Sequence, residues 1–120
     1  MKLILAPMEG LVDVHIRTLL TRSSEFDHCV TEFLRVVDRQ LPERVFYRIC
    51  PEAKNNWQTP SGTPVHLQLL GSHPQAMADN ACLGAELGAP VIDVNFGCPS
   101  KIVNNNKGGA VLLKEPETIY

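Results

Sequence analysis

Four short apolar runs recur along this chain, the first ended by Pro7, the third set between Pro64 and Gly71, and the fourth led in by Pro90. They are Leu3–Ala6, Cys29–Phe33, Val65–Leu70 and Val91–Asn95. Runs this short, flanked by breakers, predict strands and not helices. The first, stopped by Pro7, reads as a buried parallel strand. Between the runs the spacing changes. Asp13 can cap a helix on which Ile16, Leu19 and Leu20 share one face. Pro42–Ile49 predicts a second helix, with Val45, Phe46 and Ile49 inward and Arg44 and Arg48 outward. Ser72 and Gln75 form a capping-box pattern with Pro74 in the first turn. The helix they open runs to about Leu87, burying Met77, Ala81 and Leu87, and Gly88 ends it. Lys114-Glu115-Pro116 reads as the start of another helix, cut at Tyr120. Strands and helices in alternation predict an α/β fold of right-handed parallel βα units. About four such units would account for half of a TIM (β/α)8 barrel, a fold that takes roughly 250 residues.

Composition excludes several classes. Hydrophobic residues at 44% and charged residues at 20% describe a folded globular chain. A net charge of −2 gives no global attraction to nucleic acid, so any RNA contact must come from a local patch. The four cysteines, Cys29, Cys50, Cys82 and Cys98, contain no C-x-x-C pair. With no signal core or membrane-length run, free thiols in a reducing cytoplasm and no membrane are expected. His15, His28, His66 and His73 lack metal-ligand spacing with these cysteines, so no metal site is expected.

The chemistry concentrates at Asp93-Val94-Asn95-Phe96-Gly97-Cys98-Pro99-Ser100-Lys101. Asp93 and Asn95 alternate with Val94 and Phe96 as a strand requires, and Gly97 and Pro99 stop it. Cys98 then lies at the C-terminal lip, where active sites of parallel barrels gather. A bare Gly-Cys-Pro fits a small buried cysteine just as well. On the preceding run, Gln68 points opposite to Leu67 and Leu69, and a buried amide needs a hydrogen-bond partner. Pro51–Pro64 reads as a long polar loop. Its Trp57 suits either stacking on a base or covering the core. Asn104–Gly109 reads as a flexible or phosphate-facing loop.

The string from Asp93 to Lys101 resembles the signature of the tRNA-dihydrouridine synthases. Ala6-Pro7-Met8-Glu9-Gly10, Thr31-Glu32-Phe33, Gln68-Leu69-Leu70-Gly71 and Gly108-Gly109-Ala110-Val111-Leu112-Leu113 agree with the same family in the same order. The wording of Thr31–Asp38 and Arg48–Glu52 is most similar to a bacterial branch, which suggests U16 in the tRNA D-loop. The resemblance implies an FMN-binding barrel with a helical C-terminal tRNA-binding domain. Residues 1–120 would be its truncated N-terminal portion, without the later strands and that helical domain. It implies NADPH-driven reduction of the uracil C5–C6 double bond in tRNA. It places Pro7, Met8 and Glu9 against the flavin ring, Gln68 at a polar flavin edge, and Arg35 against tRNA.

A thiol with a pKa near 8.5 is mostly protonated at neutral pH, which suits Cys98 as the acid that protonates C5. Asn95 can donate hydrogen bonds to the uracil edge, or it can satisfy backbone groups. Lys101, Lys107, Arg35, Arg39 and Arg48 offer a local basic rim. A half barrel exposes strand edges and invites dimerisation or aggregation. The fragment alone is expected to bind FMN weakly and to be inactive. Two alternatives stay open: another FMN barrel of the dihydroorotate or dihydropyrimidine dehydrogenase kind, and a non-catalytic remnant. The oligomeric state is not set by the sequence.

Overall fold

The computed structural model describes residues 1–105 and 107–119. Five short strands form one parallel sheet: β1 (Ile4–Leu5), β2 (His28–Val30), β3 (Leu34–Arg35), β4 (Val65–Leu70) and β5 (Ile92–Val94). Helices α1 (Val14–Ser23), α2 (Glu43–Ile49) and α3 (Pro74–Glu86) alternate with them, and α4 (Lys101–Asn105) follows β5. β1 pairs with β2, β2 and β3 both pair with β4, and β4 pairs with β5, all in parallel. The second apolar run therefore appears twice along the same side of β4. Four ladder positions in chain order are the first half of a (β/α)8 barrel.

The second run is not one strand, and the register shows why. Cys29 pairs with Val65 and Val30 with His66, but Leu34 pairs with Leu69 and Arg35 with Leu70. One extra residue is thus held between Val30 and Leu34, which makes a bulge. The Gln68 N–H lies opposite the irregular stretch and donates to the Thr31 hydroxyl at 3.0 Å. Thr31, fully buried, substitutes for a ladder carbonyl at that point. Glu32 and Phe33 fall out of the ladder at the C-terminal lip.

The main core lies between the sheet and the helices. Val65, Leu67 and Leu69 are fully buried on the helix-facing side, packed with Cys29, Leu34, Phe46 and Ala76. Helix α3 approaches so closely that a Cβ on Gly84 would meet Leu67 Cδ2 at 2.8 Å. Trp57 resolves as a core residue: it is 2% exposed, and its indole N–H donates to the Leu87 carbonyl at 2.8 Å. Gly88 ends α3 at φ +94°, a conformation that other residues adopt at a cost.

Several expectations need correction. The first run is not buried: Ile4 is 46% exposed, because β1 pairs on one side only and its inner face is open. On α1, capped by Asp13 as expected, Leu19 faces solvent while Arg17 and Thr21 turn inward. The interior there is polar. The Arg17 guanidinium donates to both Glu52 carboxylate oxygens at 2.8 and 2.9 Å, and to the Val12 and Ile49 carbonyls. The cap of α3 is His73, whose Nδ1 accepts from the Ala76 N–H, and not Ser72. The polar loop from Pro51 contains a 3₁₀ turn over Pro51–Asn55. Asn104 and Asn105 belong to α4, with Asn106 outside the described residues. Where a helix was expected from Lys114, 3₁₀ turns run over Gly109–Lys114 and Pro116–Thr118, and Tyr120 lies outside the described residues.

Candidate active site

The β-strands deliver four loops to one lip, and these loops enclose a cavity of about 420 Å³. Its lining includes Pro7 and Glu9 after β1, Glu32 and Phe33 at the bulge, Gln68 on β4, and Asn95 and Cys98 after β5. Five of the seven site residues read from the sequence therefore meet in one place. Two do not. Met8 is 56% exposed and does not line the cavity, and its carbonyl accepts the Leu11 and Val12 N–H groups. Arg35 lines a neighbouring groove.

A chain of side-chain amides organises the floor. Gln68 sits opposite Asp93 in the parallel ladder, so both side chains leave the same face. Gln68 Nε2 donates to Asp93 Oδ2 at 2.6 Å, and Asn95 Nδ2 donates to Gln68 Oε1 at 3.0 Å. Asn95 Oδ1 in turn accepts the backbone N–H groups of Gly97 and Cys98 at 2.9 and 3.0 Å. The Asp93 carboxylate thus fixes which end of each amide is nitrogen, and the Asn95 oxygen shapes the cysteine turn. Each amide has a second N–H beyond those bonds, available to an acceptor in the cavity.

The cysteine turn is held from its other side by the downstream glycines. Cys98 accepts the Ala110 N–H on its carbonyl at 3.1 Å. Gly109 adopts φ +63°, and a Cβ there would meet the same Cys98 carbonyl oxygen at 2.6 Å. Across the cavity, the Gly10 N–H donates to a Glu32 carboxylate oxygen at 2.5 Å, tying the first loop to the bulge. Glu32 and Phe33 line the cavity, and Asp93 and Gly109 support it; of these the sequence placed Glu32 on the active-site side and Asp93 in the cysteine string, but gave none of them a role. The two-residue spacing of Asp93 and Asn95 was a usable signal. The ladder partner that brings Gln68 between them was not visible in the sequence.

The four thiols have different surroundings. Burial pushes Cys29 up to about 11, and burial with the adjacent Glu52 pushes Cys50 higher still. Both are structural. Cys98 is half-buried at the lip, and Cys82 is exposed on α3. A wider cleft of about 690 Å³ lies at the opposite end of the strands, around Leu3, Asp27 and Pro64. It holds no cysteine and sits at the end of a parallel sheet where stability, and not catalysis, is usually encoded. Among the described residues no group of three or more His, Cys, Asp or Glu side chains is placed to hold a metal ion. Nor is any described helix long and apolar enough to cross a membrane.

Comparison with known proteins agrees with this geometry. The family model described as dihydrouridine synthase (Dus) matches residues 4–120. The tRNA-dihydrouridine(16) synthase of Haemophilus influenzae is 58% identical over 120 residues, covering all of this chain and 39% of that protein. The proteins of the same name from Salmonella typhimurium and Escherichia coli K12 are each 57% identical over 120 residues, covering 38% of their lengths. The chain spans about two-fifths of the length of these curated relatives.

Proposed function

The chain belongs to the dihydrouridine synthase family, and on that premise we propose that it carries the proton-donating lip of an enzyme reducing uridine in tRNA. The reaction is the FMN-dependent, NADPH-driven saturation of the uracil C5–C6 bond, at U16 of the D-loop. The relatives' name, tRNA-dihydrouridine(16) synthase, supports this position. Residues 1–120 supply the N-terminal portion of the barrel domain. The later strands and the helical tRNA-binding domain lie outside them. The free thiols fit a reducing, cytoplasmic setting.

The observation that carries the reading is the shared cavity of Cys98, Asn95, Gln68, Pro7 and Glu9. The fit to a flavin is partial in an informative way. The remaining amide N–H of Gln68 suits an acceptor on the flavin ring edge, with Pro7 and Glu9 alongside. Among the described residues no cationic side chain lines the cavity, while two carboxylates, Glu9 and Glu32, do. A phosphate group would find no cationic partner there and two carboxylates instead, so this part of the site suits the ring and not the tail. Bound FMN supplies hydride to uracil C6. The residues of this chain then handle charge and proton. Hydride addition leaves negative charge on C5 and O4. The second Nδ2 hydrogen of Asn95 is free to stabilise it, because Gln68 and the cysteine turn already fix that amide. Cys98 holds the proton for C5. The target base must leave its stack, which costs a few kcal/mol and is easiest from a tRNA loop.

The test compares the chain with a version lengthened to match its relatives. The lengthened protein is expected to be yellow and to form dihydrouridine in unmodified tRNA, and the 120-residue chain to hold little flavin. Cys98→Ala in the lengthened protein should keep the flavin spectrum and lose at least about a hundredfold in rate, the usual scale of a general acid. A colourless lengthened protein, or a Cys98→Ala variant of normal rate, refutes the corresponding part.

A further inference from the structure

The sheet has two open edges. Among the described residues β1 pairs only with β2, and β5 only with β4. Apolar side chains stand exposed at both: Leu3 and Ile4 at one, Val91 and Val94 at the other, each between 39% and 50% exposed. The core lies on the helix-facing side alone, whereas parallel sheets are ordinarily covered on both faces. The uncovered surface is large. The chain exposes 7358 Å², against about 6,450 Å² for a compact monomer of 13.3 kDa. The excess of about 900 Å² matches the roughly 800 Å² that each partner loses in a stable interface of standard size.

We propose that a second copy of residues 1–120 covers these edges, two half barrels closing into one two-fold symmetric ring with each β1 against the partner's β5. The register carries this. Ile4 pairs with His28, and His28 precedes Cys29, which pairs with Val65. The row therefore passes through Pro64, three residues before Leu67, and through Ala89, three before Ile92, the partner of Leu67. An eight-stranded barrel of shear eight displaces such a row by about eight residues per circuit, and by about four in half of one. The partner's Ile4 then falls opposite either Asp93 or Ala85. Ala85 lies inside α3, while Asp93 is the middle of β5. The two edges thus overlap fully at the one shift that closure allows. The faces agree as well. Ile4 and Asp93 both belong to the inner face, and the partner's Leu3 and the partner's Leu5 fall opposite Ile92 and Val94 on the helix-facing side, apolar against apolar. Closure removes both edges at once. It also sets the partner's Pro7 and the partner's Glu9, which follow β1, beside the Cys98 turn that follows β5.

Sedimentation of the 120-residue chain over a dilution series is expected to show a reversible species of twice 13.3 kDa and nothing larger. Register is tested with Cys82 and Cys98 replaced by serine. Leu5→Cys with Val94→Cys should give a covalent dimer on mild oxidation, because directly opposed strand positions lie within disulfide reach. Leu5→Cys with Val91→Cys, three positions away and on the other face, should not. Leu3→Lys, at a position half exposed in the single chain, should keep the circular dichroism of the parent. It should raise the dimer dissociation constant about tenfold or more, since its apolar contact is lost twice per dimer. The chain lengthened to match its relatives should be monomeric, its own later strands taking both edges. A parent that is monomeric at every concentration overturns the proposal. Growth beyond two copies overturns it too, since a closed ring leaves no edge. So does cross-linking of the Val91 pair as readily as of the Val94 pair, or a folded Leu3→Lys variant that dimerises like the parent. A lengthened protein that dimerises as tightly would assign the association to another surface and would also overturn it. None of these readouts uses flavin or tRNA, so they stand or fall apart from the reduction chemistry.

Discussion

Replacing Gly109 with alanine tests whether the downstream glycines exist to hold the cysteine turn. The residue has φ +63°, and its added Cβ would lie 2.6 Å from the Cys98 carbonyl oxygen and 3.0 Å from both Cys98 Cβ and Val103 Cγ1. Left-handed backbone costs an alanine about 1–2 kcal/mol. Forcing a methyl group against backbone and a packed valine adds about 1–3 kcal/mol. The smaller entropy of the unfolded alanine chain returns about 0.4–1 kcal/mol. The net loss is about 2–4 kcal/mol, which lowers Tm by very roughly 8–15 °C for a chain of this size. Gly62→Ala is the matched control, since Gly62 has φ +87° with nothing within 4 Å of its Cβ position. It should lose only the conformational part, about 1 kcal/mol. Urea unfolding gives both values, and Cys98 alkylation gives the local effect. Gly109→Ala should change the Cys98 rate, because the carbonyl it displaces belongs to that residue, and Gly62→Ala should not. Equal losses in the two variants, with unchanged Cys98 reactivity, would refute the coupling.

Two further predictions concern the charged interior. Glu52→Gln leaves the Arg17 guanidinium, 0% exposed, without its counter-ion, and should cost about 3–5 kcal/mol in urea unfolding. The double replacement Arg17→Met with Glu52→Leu should recover most of that loss, and failure to recover would mean the pair matters for more than its charge balance. On the inner face of the sheet, His28 and His66 stack with ring centroids 3.9 Å apart. Partial burial, and secondarily the His28 ring, hold His66 below its ordinary value of 6.5, with Asp93 opposing weakly. A depressed histidine binds fewer protons folded than unfolded. This contribution to stability is therefore complete above about pH 6.5 and declines as pH falls toward the folded value. Tm should drop between pH 7.5 and 5.5, and His66→Asn should flatten that drop; a Tm that rises on acidification would show the sign to be wrong.

What could be read from the sequence divides along a physical line. Periodicity and breakers exposed β4 over Val65–Leu70, the span of α2, and the stop of α3 at Gly88, because each depends on a residue's own neighbours along the chain. That Cys98, Asn95 and Gln68 would lie near one another was legible because strand ends in a parallel sheet converge on one lip. The features that escaped depend on a partner far away. Arg17 turns inward on α1 only because Glu52, 35 positions later, is there to receive it. Without that carboxylate the helical pattern favours Leu19 as the buried face. The break between β2 and β3 is set by the register against β4, which no local pattern encodes. That same bulge places Glu32 where it binds the Gly10 N–H and brings Phe33 to the wall between cavity and groove. One inserted residue thus shapes the wall between the two hollows. Deleting it would restore a continuous ladder beside β4, with Arg35 still opposite Leu70.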